Sequence, residues 1–313
     1  MHGDAPTEEG KRDWYTSIRT AYGPRLAAMR EELDCVPRDG SGASIPGVWI
    51  ERSMPDERPI LRWVLDDGFS RRDEEIRKRL CNEWIERELR PQLDAWRPER
   101  AAVGMDFARH RHFTIIMPAE IDHALMRHAR FLIELSHVPT RQQEQILWAL
   151  LDHVCDMRRT WSCAIDATGP GQTIAEYTAD RYGAADHDRP EIGGHIYQVN
   201  LSPKWYGTWM QPWVDSFEDG TATYPRDANL EADFRAVEEI DGIPRVPKIE
   251  SRDLREPELY RHGDGAIAAA LMWYASLHQK ASLFEWTPAS RLSDRWDARG
   301  RGQRNQIEQS GVW

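Results

Sequence analysis

Three aspartates carry the first chemical signal in this sequence of 313 residues. Asp106 closes one apolar run (VGMDF) and Asp166 closes another (CAIDATG), while Asp264 sits between two glycines in HGDG, at the head of an Ala-rich stretch. Carboxylates converging from separate elements are the hard oxygen donors that suit Mg²⁺ or Mn²⁺. Two such ions about 4 Å apart can hydrolyse a phosphodiester, one activating water and the other stabilising the leaving oxygen. Singly, each aspartate reads more readily as a turn former or a helix cap. The chemistry is carried by the set, its order and its contexts. The glycines beside Asp264 leave room for backbone, metal and nucleic acid to approach closely.

Other residues near these acids invite readings of their own. Arg109, Arg111 and Arg261 lie within five residues of the proposed ligands and are candidate forks for backbone phosphate, with His262 a further candidate contact or an orienting group for Asp264. His110 and His112 are spaced to share a strand face as zinc ligands, but no third ligand stands at a recognised spacing. Glu134, in FLIELS, is expected to face solvent by strand alternation. Trp205, Trp209 and Trp213 recur every four residues, a stripe that reads as core before it reads as a base-stacking platform.

The elements that must position the acids follow from periodicity. Residues 1–97 read as a helical and irregular segment, with a turn-rich stretch at 38–47 and an amphipathic helix over 73–95 carrying Ile76, Leu80, Trp84, Ile85 and Leu89. From 98 to 283 the pattern changes. Strands are expected at 101–107, 112–121 and 129–138, the first two joined by the polar tip ARHR. A helix starts after Thr140, a fourth strand spans 160–166, a helix 171–183, a fifth strand 195–202 and a last helix 262–281. Three strands, then helix, strand, helix and strand, closed by a helix, is the order of an α/β, ribonuclease H-like mixed sheet flanked by helices. Residues 284–313, with five arginines between 291 and 304, read as a flexible tail.

Composition narrows the class. Forty per cent hydrophobic and 30% charged residues are enough for a core. Lys+Arg 41 against Asp+Glu 52 leaves a net charge of −11, which argues against a bulk nucleic-acid coat or a membrane-surface protein. The longest apolar run, residues 266–275, is too short for a bilayer span, and the N-terminus does not read as a secretory signal. Four scattered cysteines (Cys35, Cys81, Cys155 and Cys163), with no C-x-x-C pair, point to a reducing cytoplasm.

From GMDFARHRHFTIIMP through IELSHVPTRQQEQILWALLD and AIDATGPGQTIAEYTADRYG to YRHGDGAIAAALMWYAS, the sequence resembles the nuclease domain of the large terminase subunit of Mu-like phages. REELDCVPRDGSGASIPGVWIERSM resembles the connector after the ATPase motor of those proteins, so the likeness runs from about residue 12 to 280; the IDATG and HGD blocks are its most telling parts. The resemblance implies a ribonuclease H-like endonuclease that cuts concatemeric double-stranded phage DNA during packaging in the bacterial host cytoplasm. It implies Asp106, Asp166 and Asp264 as the catalytic, metal-binding triad for two Mg²⁺ or Mn²⁺ ions, and the portal protein and small terminase subunit as partners, with no membrane. The chain departs from the family in two places. It has no G-x-x-x-x-G-K-[ST] loop, so no ATPase activity is expected of it, and ARHRHF stands where members carry a Gly-Asp-rich turn. Two rivals remain open: an actin-like or sugar-kinase-type ATPase, for which IDATGPGQT would be a phosphate loop, and a catalytically inactive prophage remnant that binds DNA or capsid.

Overall fold

Strand alternation and one missing side chain decide how this chain packs. The computed structural model describes residues 7–22, 43–108, 112–157, 160–189, 193–248 and 250–277, all within one compact unit. Helices α1 (Glu8–Tyr22) and α2 (Gly47–Ser53) precede strand β1 (Ile60–Val64). Next comes a continuous helical rod: α3 (Glu74–Trp84), a π turn (Ile85–Leu89) and α4 (Arg90–Ala95). It occupies the helix expected over 73–95, with a shifted face. Cys81, Trp84, Ile85, Leu89 and Leu93 form its buried face, continuous across the π turn, while Ile76 near the start of the rod stays 39% exposed.

The sheet is then laid down by β2 (Arg100–Asp106), β3 (Thr114–Ile121), β4 (Arg127–Ala129) and β5 (Leu132–Ser136). Helix α5 (Thr140–Asp156) crosses to β6 (Thr160–Asp166), and α6 (Gln172–Tyr182) to β7 (Ala184–Ala185) and β8 (Ile196–Val199). The remaining elements are α7 (Pro203–Asp219), β9 (Ala222–Thr223), α8 (Ala228–Arg235), the hairpin β10 (Glu238–Ile240) and β11 (Ile243–Arg245), the pair β12 (Ser251–Arg252) and β13 (Tyr260–Arg261), and α9 (Asp264–Leu277). The main sheet runs β1-β5-β3-β2-β6-β8-β7. β2 pairs antiparallel with β3, as β3 does with β5, whereas β6 lies parallel to β2 and β8 parallel to β6. Taking β2 as the first core strand, the central order is third, second, first, fourth, fifth, with both later strands parallel to the first. That is the ribonuclease H-like arrangement.

β1 extends the sheet beyond this core. It pairs parallel with β5, Ile60 opposite Leu132, although the sequence reading leaves residues 1–97 outside the sheet. Pro118 sits within β3, yet the sheet tolerates it. Arg130 N–H donates to Pro118 O, so the nitrogen side of Pro118 faces the gap between β5 and β4, where no ladder bond is lost.

Each face of the sheet has its own apolar layer. Ala101, Val103, Met105, Cys163 and Ile165 pack with the rod, α5 and α6. Ala102, Ile115, Met117 and Ala164 pack on the opposite side with α7, α8 and α9. Helix α9 is apolar nearly all round and buried from Asp264 through Ser276, as a helix enclosed on every side must be. It crosses β2 at Gly104. A Cβ there would stand 2.1 Å from Ala268 O and 2.3 Å from Met272 N, atoms of helix backbone that cannot move aside alone.

Gly104→Ala is therefore expected to destabilise the fold by about 3 kcal/mol through overpacking. Gly207→Ala, inside α7, meets only an ordinary contact 3.5 Å from Ile243 Cδ1 and should gain up to ~1 kcal/mol from helix propensity. Urea unfolding of the two variants checks the pair; equal effects would refute the backbone-contact account.

Candidate active site

The acids come together because of strand register. The last paired residues of β2 and β6 are Met105 and Ile165, so Asp106 and Asp166 lie one step further on, side by side on neighbouring strands about 4.8 Å apart. Period-2 alternation puts both on the face that carries Ala102, Gly104 and Ala164, the face covered by α9. Asp264 is the first residue of α9. The close crossing at Gly104 brings that helix end to the carboxyl ends of β2 and β6. All three aspartates are buried.

Each acid is held by local backbone. Asp166 Oδ1 accepts the Thr168 N–H at 2.8 Å, and Thr168 Oγ1 accepts the Leu201 N–H at 3.1 Å, tying the end of β6 to the start of α7. Gly171 closes the GPG turn against Asp166; a Cβ there would stand 2.2 Å from Asp166 O. Gly171 thus has a packing role and Gly169, at φ +57°, a turn role, and this weakens the reading of the segment as a phosphate loop. Asp264 Oδ2 accepts the His262 N–H at 3.2 Å, across Gly263 at φ +70°.

Electrostatics mark the cluster as unbalanced. Burial raises the Asp106 carboxyl well above its usual range, and the charges of Asp264, Asp166 and Asp233 raise it further. Asp264 is pushed up to about 7, by burial and then by Asp233, with Arg261 in partial opposition. Asp166 is raised by burial, less so because its bonds to Thr168 favour the anion. Among the described residues, no group of three or more His, Cys, Asp or Glu side chains is drawn in tightly enough to hold a metal ion as it stands. The donors nevertheless suit a hard divalent cation in kind: they are all carboxylate oxygens, and their mutual repulsion is what such a cation relieves.

Arg261 requires correction as a DNA contact. It is 1% exposed, and its guanidinium is saturated by carboxylates: Asp233 Oδ2 at 2.7 Å, Glu134 Oε1 at 2.9 Å and Asp253 Oδ2 at 3.2 Å. Glu134 is corrected with it. β5 is covered on both faces, so its one charged residue points inward, to Arg261 and to Arg62, whose Nε stands 3.0 Å from Glu134 Oε2. Asp233 Oδ2 also accepts the Gly265 N–H at 3.0 Å, so this network holds the first turn of α9 in place. A lone acid in a wholly apolar run was the available signal for Glu134; nothing local marked Asp233.

The other candidates divide. His262 is half-buried at the rim, its imidazole pKa lowered chiefly by burial, with its ring 5.6 Å from that of His112. His112 Nε2 lies 3.4 Å from Glu250 rather than in a zinc set. Arg109, His110, Arg111 and residues 284–313 lie outside the described residues. Trp205 and Trp213 are buried and Trp209 packs against the same cluster, so the stripe is core.

A ribonuclease H-like protein with an acidic rim at its first and fourth core strands is the class that this fold and site define. No protein-family model matches the chain. It is 32% identical over 247 residues to the Mu-like prophage FluMu protein gp28 of Haemophilus influenzae, covering 79% of this chain and 46% of that protein. It is 33% identical over 272 residues to the probable terminase, large subunit gp28, of Escherichia phage Mu, covering 86% and 47%. The chain is a homologue of the large terminase subunit of Mu-like phages, and it spans about half the length of these relatives. Among solved structures, the magnesium-bound large terminase nuclease of thermophilic phage G20c aligns at TM-score 0.40 and 16% identity, over 57% of this chain and 83% of that one. The HK97 bacteriophage large terminase aligns at 0.42 and 10%, over 75% and 43%.

The raised carboxylates set a pH dependence. The Asp264 cost is absent below the unfolded carboxyl pKa near ~4 and complete above the folded value of about 7, so metal-free stability falls as pH rises between them. Asp264→Asn should melt at least about 2 °C above the parent at pH 8 in EDTA, with the gain vanishing towards pH 4. A pH-independent difference in thermal melts would contradict this origin.

Proposed function

We propose that the chain is a metal-dependent endonuclease that cuts double-stranded phage DNA during genome packaging. The observation that carries this reading is the parallel register of β2 and β6, whose last pair, Met105 and Ile165, leaves Asp106 and Asp166 one step further on at neighbouring strand ends, next to the Asp264 end of α9. Asp106, Asp166 and Asp264 would hold two Mg²⁺ or Mn²⁺ ions. When bound, such ions supply an activated water and charge stabilisation of the leaving oxygen. The side chains supply placement: Asp166 is fixed by Thr168, Asp264 by the His262 N–H and the Asp233–Gly265 tether. Kinship to gp28 large subunits supports concatemeric DNA as substrate, the portal protein and small terminase subunit as partners, and the cytoplasm of the bacterial host as the place of action. No helix among the described residues is long and apolar enough to cross a membrane. The sequence contains no phosphate-binding loop of the G-x-x-x-x-G-K-[ST] kind, so the activity proposed for this chain does not include ATP hydrolysis.

Plasmid nicking by the purified chain, with Mg²⁺, Mn²⁺ or EDTA, tests the proposal. Cleavage should require the metal, and Asp106→Asn, Asp166→Asn and Asp264→Asn should each lower it by about 100-fold or more, a loss of at least ~2.7 kcal/mol of transition-state stabilisation. Full activity in two of the three variants would remove the site assignment. Independently of turnover, Mn²⁺ should raise the melting temperature of the parent and act far less on Asp106→Asn, because only the intact cluster gains from ligand linkage.

A further inference from the structure

With Arg261 consumed by its carboxylates, the acidic rim needs another cation if it is to meet a phosphodiester. The hairpin β10–β11 carries one. The end of β11 runs between two parts of the site. Ile243 lies against Gly207 of α7, and Val246 against Gly263, where an added Cβ would stand 2.5 Å from Val246 Cγ1. Gly263 immediately precedes Asp264. Arg245 lies next to Val246, and its guanidinium carbon is 5.8 Å from the centroid of the Tyr206 ring.

Tyr206 belongs to the first turns of α7, the helix tied to Asp166 through Thr168 and Leu201. Burial, then Asp106 and Asp166, push its hydroxyl pKa upward, and Arg245 opposes them. Through Tyr206, Arg245 stands at the helix end tied to Asp166, and through Val246 it stands beside the turn that presents Asp264. There Arg245 differs from its neighbours. Arg62, Arg255 and Arg261 all pair with carboxylates. Arg245 forms no ion pair among the described residues, and its Nε is buried without a hydrogen-bond partner. A donor withdrawn from water and left open is costly, and a planar guanidinium anchored over a ring is preorganised for a bidentate acceptor.

We propose that Arg245 is the phosphate-binding residue of this site, its guanidinium forking onto a non-bridging oxygen of the DNA backbone beside Asp106 and Asp166. The assignment rests on the nuclease reading for its substrate, but a backbone phosphate can be probed without cleavage. Tyr206 acts as a positioning residue through its ring.

The test is binding of a short fluorescent DNA duplex to the full chain in EDTA, followed by anisotropy from 50 to 200 mM NaCl, with melting curves for every variant. Arg245→Ala should bind about tenfold more weakly, and its slope of log affinity on log salt should be shallower by about one. Arg245→Lys should recover the slope but only part of the affinity, because charge returns without the fork. Tyr206→Phe, which keeps the ring, should bind as the parent does. Arg79→Ala, an exposed surface cation on α3 paired with Glu83, should change neither quantity. Should the alanine chain not fold, Arg245→Gln, which keeps a polar stem, decides the same question. Unchanged affinity and slope in a folded Arg245 variant, or an equal loss in Arg79→Ala, would overturn the assignment. Absence of Mn²⁺-dependent nicking by the parent would instead defeat the nuclease reading, while the metal-free salt slope still decides the role of Arg245.

Discussion

Gly104 has no side chain, and α9 crosses β2 through the space this leaves. The contact is backbone on side-chain-free backbone, Ala268 O and Met272 N against Gly104, so its spacing is fixed by van der Waals radii and not by adaptable rotamers. Everything at the acidic rim depends on that spacing. Gly104 stands two residues before Asp106 and on its face of the strand, while Ala268 stands one helical turn after Asp264. A helix held further off would carry Asp264 away from the strand ends. The alanines at 266, 268, 269 and 270 keep the rest of the crossing equally close.

Behind the rim, buried charge replaces apolar packing. Arg261 gathers Glu134 from β5, Asp233 from α8 and Asp253 from the loop before β13, and Arg62 of β1 reaches Glu134 and Asp253 as well. A buried ion network of this kind is weak evidence for stability, since desolvation offsets much of the attraction. Its geometric effect is plain. It ties the edge strand β1, the core strand β5 and α8 to the turn that presents Asp264, through Asp233 and the Gly265 N–H. Phe113 supports the same network, with the guanidinium carbons of Arg62 and Arg261 each 5.1 Å from its ring centroid.

The rim and the network treat negative charge in opposite ways. In the network each buried acid faces an arginine. At the rim Asp106 feels burial and three neighbouring carboxylates. Local conflict of this kind is a departure from the consistency that otherwise specifies a fold, and such departures gather where a protein binds or reacts. A cluster that repels itself when empty would gain most from a divalent cation, and the charge reversal on binding would let an acidic protein accept a phosphate at that spot.

Much of this was legible in the chain itself. Periodicity placed the five core strands and their crossovers, and the contexts of Asp106, Asp166 and Asp264 singled out three acids that the fold brings to one rim, because strand ends and helix starts are local features with local signals. Longer-range matters were decided only by tertiary structure. β1 reads as irregular on its own and becomes a strand by pairing with β5, since its ladder partner lies about seventy residues away. Glu134 and Arg261 look like surface charges in their own segments; burial by other elements turns each into the answer to the other. Arg245 carries no mark in GIPR, and its place beside Tyr206 exists only because the hairpin is wedged between α7 and the turn before Asp264. Strand alternation gives a side chain its face, but what covers that face is set by contacts between distant segments, which no single stretch of sequence encodes.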